Sequence, residues 1–101
     1  MTEPLLFRGE AGTVTLTAAA LTRLVAHAVS GVDGARLRRP KRGVEVRHYD
    51  GRAAVELELS GRFGDSLHEL ARSVQKRVAE ALAQTTGLEV ERVDVEIEEV
   101  A

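Results

Sequence analysis

The sequence predicts an α+β domain of two layers: a small mixed or antiparallel sheet of three or four strands carrying two helices on one face, in the order β-α-β-β-α-β. Three observations predict it. Apolar residues recur at helical spacing in two stretches, 21–29 and 67–82. Apolar and charged residues alternate in three others, 44–47, 55–59 and 93–98. Between the first two alternating runs stands Asp50-Gly51, a pair suited to a two-residue hairpin turn because both central positions of a type I′ turn need positive φ. Each apolar stripe and each apolar strand face must be buried against another element, and two helices lying on one sheet face satisfy all of them together.

The chain has 101 residues, 44% hydrophobic and 30% charged, with a net charge of -2. That length builds one core and not two, burying roughly two thirds of the unfolded surface. The composition is that of a globular domain. There is no Cys, which excludes disulfides and thiolate metal sites. No window approaches the roughly 20 apolar residues that cross a bilayer, and the start of the chain lacks a basic stretch followed by an apolar run. The expected location is the cytoplasm, with no direct membrane insertion.

Residues 1–11, with Pro4, Gly9 and little periodicity, are expected to form a flexible arm, and 12–100 a single domain. A short strand is expected at Thr13 to Leu16. Thr17 then has the hydroxyl of a helix N-cap, and Leu21, Leu24, Val25, Ala28 and Val29 make the stripe of the first helix, which Gly31 and Gly34 end. Arg36 and Leu37 begin a strand fragment that runs into a basic loop. Val44 and Val46 alternate with Glu45 and Arg47, and Val55, Leu57 and Leu59 with Glu56 and Glu58, giving two hairpin strands, the second broken by Gly61 and Gly64. Ser66 and Glu69 have the spacing of a capping box. The helix they open runs to about Thr85, with Leu67, Leu70, Ala71, Val74, Val78, Ala81 and Leu82 inward and Glu69, Arg72, Lys76 and Glu80 outward. Gly87 stops it. Val93, Val95 and Ile97 alternate with Asp94, Glu96 and Glu98 in the last strand.

The residue types that carry chemistry do not converge. A zinc site needs three or four ligands, usually with a close pair on one helix; His27, His48 and His68 fall on three separate elements. His27 projects away from its apolar stripe into solvent, and His68, at the flank of its stripe, is expected to pack beside the sheet. Acid-base catalysis by paired carboxylates needs a cleft that raises one pKa, whereas Asp94, Glu96 and Glu98 alternate on an outer strand face. Gly61 and Gly64 before a helix lack both the Walker lysine and the Gly-x-Gly-x-x-Gly of phosphate loops. These observations point to no catalytic residue, no metal and no cofactor. The distinctive feature is Arg36, Arg38, Arg39, Lys41 and Arg42, a dense basic run around Pro40. It suits anionic lipid, RNA phosphate or an acidic protein surface, and the lack of aromatic residues within it disfavours RNA sequence readout. Its counterpart is the acidic last strand, with Asp94, Glu96 and Glu98 as a self-association face. A basic loop meeting the acidic strand of the next copy would be a heterologous contact that builds open chains or rings.

Two blocks resemble the alkaline shock protein family, also called envelope stress response proteins of bacteria. The first is Gly12-Thr13-Val14-Thr15-Leu16-Thr17 with the following helix and Val29-Ser30-Gly31-Val32. The second is Arg62-Phe63-Gly64, then Leu67 to Val78 with Gln75 between Val74 and Val78, then Thr86-Gly87-Leu88-Glu89-Val90-Glu91-Arg92-Val93-Asp94-Val95. Gly43-Val44-Glu45-Val46 resembles the family's strand after its variable loop, and together the blocks cover most of 12–100. The resemblance implies a non-enzymatic bacterial protein linked to cell-envelope stress, self-assembling and brought near the membrane by a partner. It implies no catalytic residue. The reading that follows is a non-catalytic scaffold or adaptor, a homo-oligomer that docks on a membrane-anchored protein. The alternative is a nucleic-acid-binding module using the basic loop 36–42.

Overall fold

The computed structural model describes residues 2–39, 43–62, 64 and 66–100. Along the chain they form β1 (Leu5–Gly9), β2 (Gly12–Leu16), α1 (Ala18–Ser30), β3 (Arg36–Leu37), β4 (Val44–Tyr49), β5 (Arg52–Arg62), α2 (Leu67–Thr86) and β6 (Glu89–Val100). The architecture is α+β, and from β2 onward the elements follow the predicted order with β3 as a short addition.

β5 is the centre of the main sheet. On one side β6 runs parallel to it, from Arg52 opposite Glu89 to Arg62 opposite Val100, with a register shift between Ala53 and Ala54. A parallel pair needs a crossover, and α2 provides it. On the other side β4 and β3 are both antiparallel to β5, β4 along Arg52 to Leu57 and β3 at Leu59 and Ser60. They lie end to end as one interrupted edge strand. Glu58 marks the interruption: its carbonyl accepts from the Arg38 N–H at 3.0 Å and its own N–H donates to the Gly43 carbonyl at 2.9 Å. The chain between Arg38 and Gly43, which carries the basic loop, therefore leaves and rejoins the sheet at a single rung.

The β4–β5 hairpin closes as predicted. Tyr49 pairs with Arg52, and Asp50 and Gly51 between them have φ of 47° and 76°. Gly51 adopts that angle without the penalty a Cβ would bring. Both helices are capped by the residues expected: Thr17 Oγ1 accepts from Ala20 N at 3.1 Å and Ser66 Oγ from Glu69 N at 3.5 Å. At the far end of α2 the Gly87 N–H donates to the Ala83 carbonyl at 2.9 Å.

Alternation along β5 sends Ala53, Val55, Leu57, Leu59 and Gly61 under the helices. There Val55, Leu57 and Leu59 meet Val25 and Val29 of α1 and Val74, Val78 and Leu82 of α2 in the main core. Each fully buried aliphatic side chain stabilises the fold by roughly 1.5–3 kcal/mol before chain entropy is subtracted. Leu67, Ala71 and Ala81 of the predicted inner face of α2 are half-buried at its margins, and Glu69, Arg72, Lys76 and Glu80 are exposed.

Three expectations are corrected. Part of the stretch 1–11, expected as a flexible arm, is β1, antiparallel to β2 with Leu5 opposite Leu16 and Phe7 opposite Val14. That pairing removes β2 from the main sheet. The physical reason lies at the hairpin's base, where Leu5 packs with Leu21, Ala53 and Leu88 in a second small core flanked by Phe7 and Leu16. Gly61 does not break β5, which continues to Arg62. It is buried there, where a side chain would collide with α2 and crowd β6: a Cβ at Gly61 would lie 2.5 Å from Leu67 Cδ2 and 3.0 Å from Ile97 Cγ2. Finally, the last strand is longer than its alternating run, starting at Glu89, whose N–H donates to the Gly51 carbonyl at 2.9 Å.

Candidate functional site

The face of the sheet turned away from the helices is the functional candidate. Strand register fixes its composition, because partners across a sheet share a face. Glu45, Glu56 and Asp94 form one row across β4, β5 and β6; Glu58 and Glu96 form the next; Ser60 and Glu98 the one after. Carboxylates therefore occupy adjacent positions on three strands. They surround an open depression of about 460 Å³ lined by Glu45, Glu56, Glu58, Asp94 and Glu96 beside Gly43.

Like charges this close repel, and Arg38 offsets them. It follows β3 where the edge strand leaves the sheet, and its guanidinium turns back over the face. Nη2 meets Glu58 Oε1 at 2.9 Å and Glu96 Oε1 at 3.4 Å, while Nη1 meets Glu98 Oε2 at 3.3 Å. The Arg38 side chain is 20% exposed, and its Nε is buried without a hydrogen-bond partner. Burial opposes its charge, but the hydrogen bonds and charges of Glu58 and Glu96 outweigh that and hold its pKa above the ordinary arginine value. Smaller pairs complete the face: Arg47 with Glu45 at 2.8 Å and Arg92 with Asp94 at 3.1 Å.

The predicted site residues separate into groups. Asp94, Glu96 and Glu98 are exposed on this face. Arg38 joins them within the same chain, so one member of the basic run already neutralises the acidic strand it was expected to meet in a neighbouring copy. Arg36 and Arg39 are exposed and make no ion pair among the described residues. Lys41 and Arg42 lie outside the described residues. Glu58, the closest partner of Arg38, was not among the predicted site residues; its outward place in the alternation of β5 is the signal that marks it.

The histidines stay apart. His27 is exposed, and the half-buried His48 places Nε2 3.0 Å from the Glu3 carbonyl. His68 is exposed rather than packed beside the sheet, because at 100° per residue it stands about 120° around α2 from Val74. Among the described residues no group of three or more His, Cys, Asp or Glu side chains is placed to hold a metal ion. Among them, too, no helix is long and apolar enough to cross a membrane.

The fold is similar to that of solved MamM CTD structures. One aligns with a TM-score of 0.57 at 14% identity, covering 82% of this chain and 98% of that one. A copper form of MamM CTD gives 0.57 at 14%, with 82% and 98% covered, and a cadmium form 0.57 at 15%, with 82% and 96%. At such identity the likeness concerns the fold alone. No curated protein matches the chain. Residues 25–101 match the family model described as the alkaline shock protein 23 family, of cell envelope-related function, and the chain belongs to that family.

Proposed function

We propose that this domain is a non-catalytic scaffold or adaptor that self-associates and docks on a membrane-anchored partner in the envelope stress response. The observation that carries the reading is the distribution of charge. The apolar stripes of both helices are taken up in the core, while the outer sheet face presents an open carboxylate surface bridged by Arg38. A surface of this kind recognises other surfaces by complementary charge, which supplies specificity and steering. The exposed Arg36 and Arg39, with Lys41 and Arg42 of the same run, form the basic contact. Its partner is an acidic protein surface, either on the anchored protein or at Asp94, Glu96 and Glu98 of another copy.

The test is co-purification from envelope fractions of the native host, comparing the natural chain with one carrying Arg36→Ser, Arg39→Ser, Lys41→Ser and Arg42→Ser. Loss of a membrane protein from the variant's companions supports docking through the basic run. An unchanged set of companions rejects that contact. A gel shift with random RNA, strong at low salt and steeply weakened by added salt, would favour phosphate binding instead.

A further inference from the structure

Self-association can use a sheet edge as well as the charged surfaces described above, and the two edges of the main sheet differ in their capacity to supply one. In an antiparallel pair, alternate residues turn their backbone groups toward the partner strand and the rest turn them away. The bond from Glu58 N–H to the Gly43 carbonyl sets the phase for β4: Glu45, Arg47 and Tyr49 bond to β5, and Val44, Val46 and His48 direct their N–H and C=O groups to the outer edge. The contact made there agrees, for Val46 N–H donates to Thr2 Oγ1 at 3.0 Å. His48 Nε2 lies 3.0 Å from the Glu3 carbonyl, so the segment before β1 lies across this edge as a strap.

We infer that a second copy of the chain adds antiparallel to β4 about a two-fold axis at Val46, displacing the Thr2 strap; the inference rests on the self-association proposed above. Backbone phase allows an axis at any residue of β4 but not between two, and an axis at Glu45 or Arg47 opposes that charge to itself. Of these, Val46 alone sets Glu45 opposite Arg47 of the other copy, twice over by symmetry. It also sets Val44 opposite His48 and pairs the outward backbone groups of all three residues, about six hydrogen bonds in all. Opposite charges directly across a sheet attract and like charges repel. On the other edge, β6, an axis at Val95 opposes Asp94 to Glu96 and one at Ile97 opposes Glu96 to Glu98; an axis at Val93 does set Arg92 opposite Asp94, but there the Val93 carbonyl already accepts from Gln75 Nε2.

The chain has no cysteine, which permits a clean test. Cα atoms of a directly opposed pair at these positions come within disulfide reach. Glu45→Cys and Arg47→Cys variants, oxidised separately, are expected to stay uncrosslinked, and their mixture to give a disulfide-linked dimer. Crosslinking by each variant alone as readily as by the mixture overturns the register. No crosslink in the mixture, with the natural chain dimeric by sedimentation, overturns the β4 contact and leaves self-association standing. A natural chain monomeric at every concentration overturns both. Thr2→Val removes the strap's hydroxyl from each copy, and each loss is expected to favour the dimer about fivefold. The dimer dissociation constant should therefore fall about 25-fold; an unchanged or raised constant overturns the strap.

Discussion

Arg38 and Glu58 are joined twice, once through backbone and once through side chains: Arg38 N–H donates to the Glu58 carbonyl at 3.0 Å, and Arg38 Nη2 meets Glu58 Oε1 at 2.9 Å. The first bond ends the β3 rung at the point where the basic loop departs. The second folds the guanidinium over the acidic face, within reach of Glu96 and Glu98 on β6. One side chain thus ties both margins of the sheet across β5, and it comes from a run that, read as sequence, looks uniformly available to partners.

Arg38→Ala is expected to lower the melting temperature more than Arg36→Ala or Arg39→Ala. It leaves Glu58, Glu96 and Glu98 facing one another without a cation. Because the resulting repulsion is screened by salt, the loss should be largest at low ionic strength and shrink toward 1 M NaCl. Thermal unfolding of the three variants across a salt series measures it. Equal effects at all three positions would contradict the clamp.

Thr86, at the end of α2, is polar and buried, and its hydroxyl serves two bonds. It donates to the Leu82 carbonyl at 2.6 Å and accepts from Leu88 N–H at 3.1 Å. Thr86→Val keeps the shape and removes both, leaving a buried N–H unsatisfied at a cost of about 1–3 kcal/mol. Thr86→Ser keeps the hydroxyl and should recover most of that. Urea midpoints at constant m-value distinguish the two.

Gly61 tests how tightly α2 seats on the sheet. Its missing side chain leaves room for Leu67 and Ile97. Ala at this position must push aside the flexible end of Leu67, at about 1 kcal/mol, and Val must move the helix start as well, at about 3 kcal/mol. The expected reading is a stepwise fall in stability from Gly to Ala to Val, with strand content by circular dichroism unchanged for Ala.

The features legible in the sequence are those set by near neighbours along the chain. The Asp50-Gly51 turn, the Thr17 and Ser66 caps and the two helical stripes all depend on residues within a few positions, and their spacing states them directly. What was not legible depends on partners distant in sequence. Gly61 carries the ordinary signal of a strand breaker, and only its position beneath Leu67 gives the opposite meaning. β1 was obscured by Pro4 and Gly9, although Leu5 and Phe7 alternate; its reason to pair is the contact of Leu5 with Leu21, Ala53 and Leu88. The outward exposure of Asp94, Glu96 and Glu98 was readable from alternation. The clamp was not, because Arg38 stands 20 residues from Glu58 and 60 from Glu98, and only the strand order brings them together.

Gln75 shows the same dependence on register and offers a last test. It lies on the exposed flank of α2, yet its Nε2 donates to the Val93 carbonyl of β6 at 3.0 Å. The bond spans a groove between α2 and β6 and fixes the helix against the strand that carries the acidic face. Gln75→Ala removes it, at about 1 kcal/mol. Gln75→Glu nearly preserves the shape but replaces the donor with a carboxylate aimed at a carbonyl oxygen and close to Asp94. At neutral pH it is therefore expected to destabilise more than Ala does, although Glu is a good helix former and Ala a better one by only a few tenths of a kcal/mol. Urea unfolding of the natural chain and both variants checks the order. A Glu variant as stable as the natural chain would mean that the bond does not hold α2 in place.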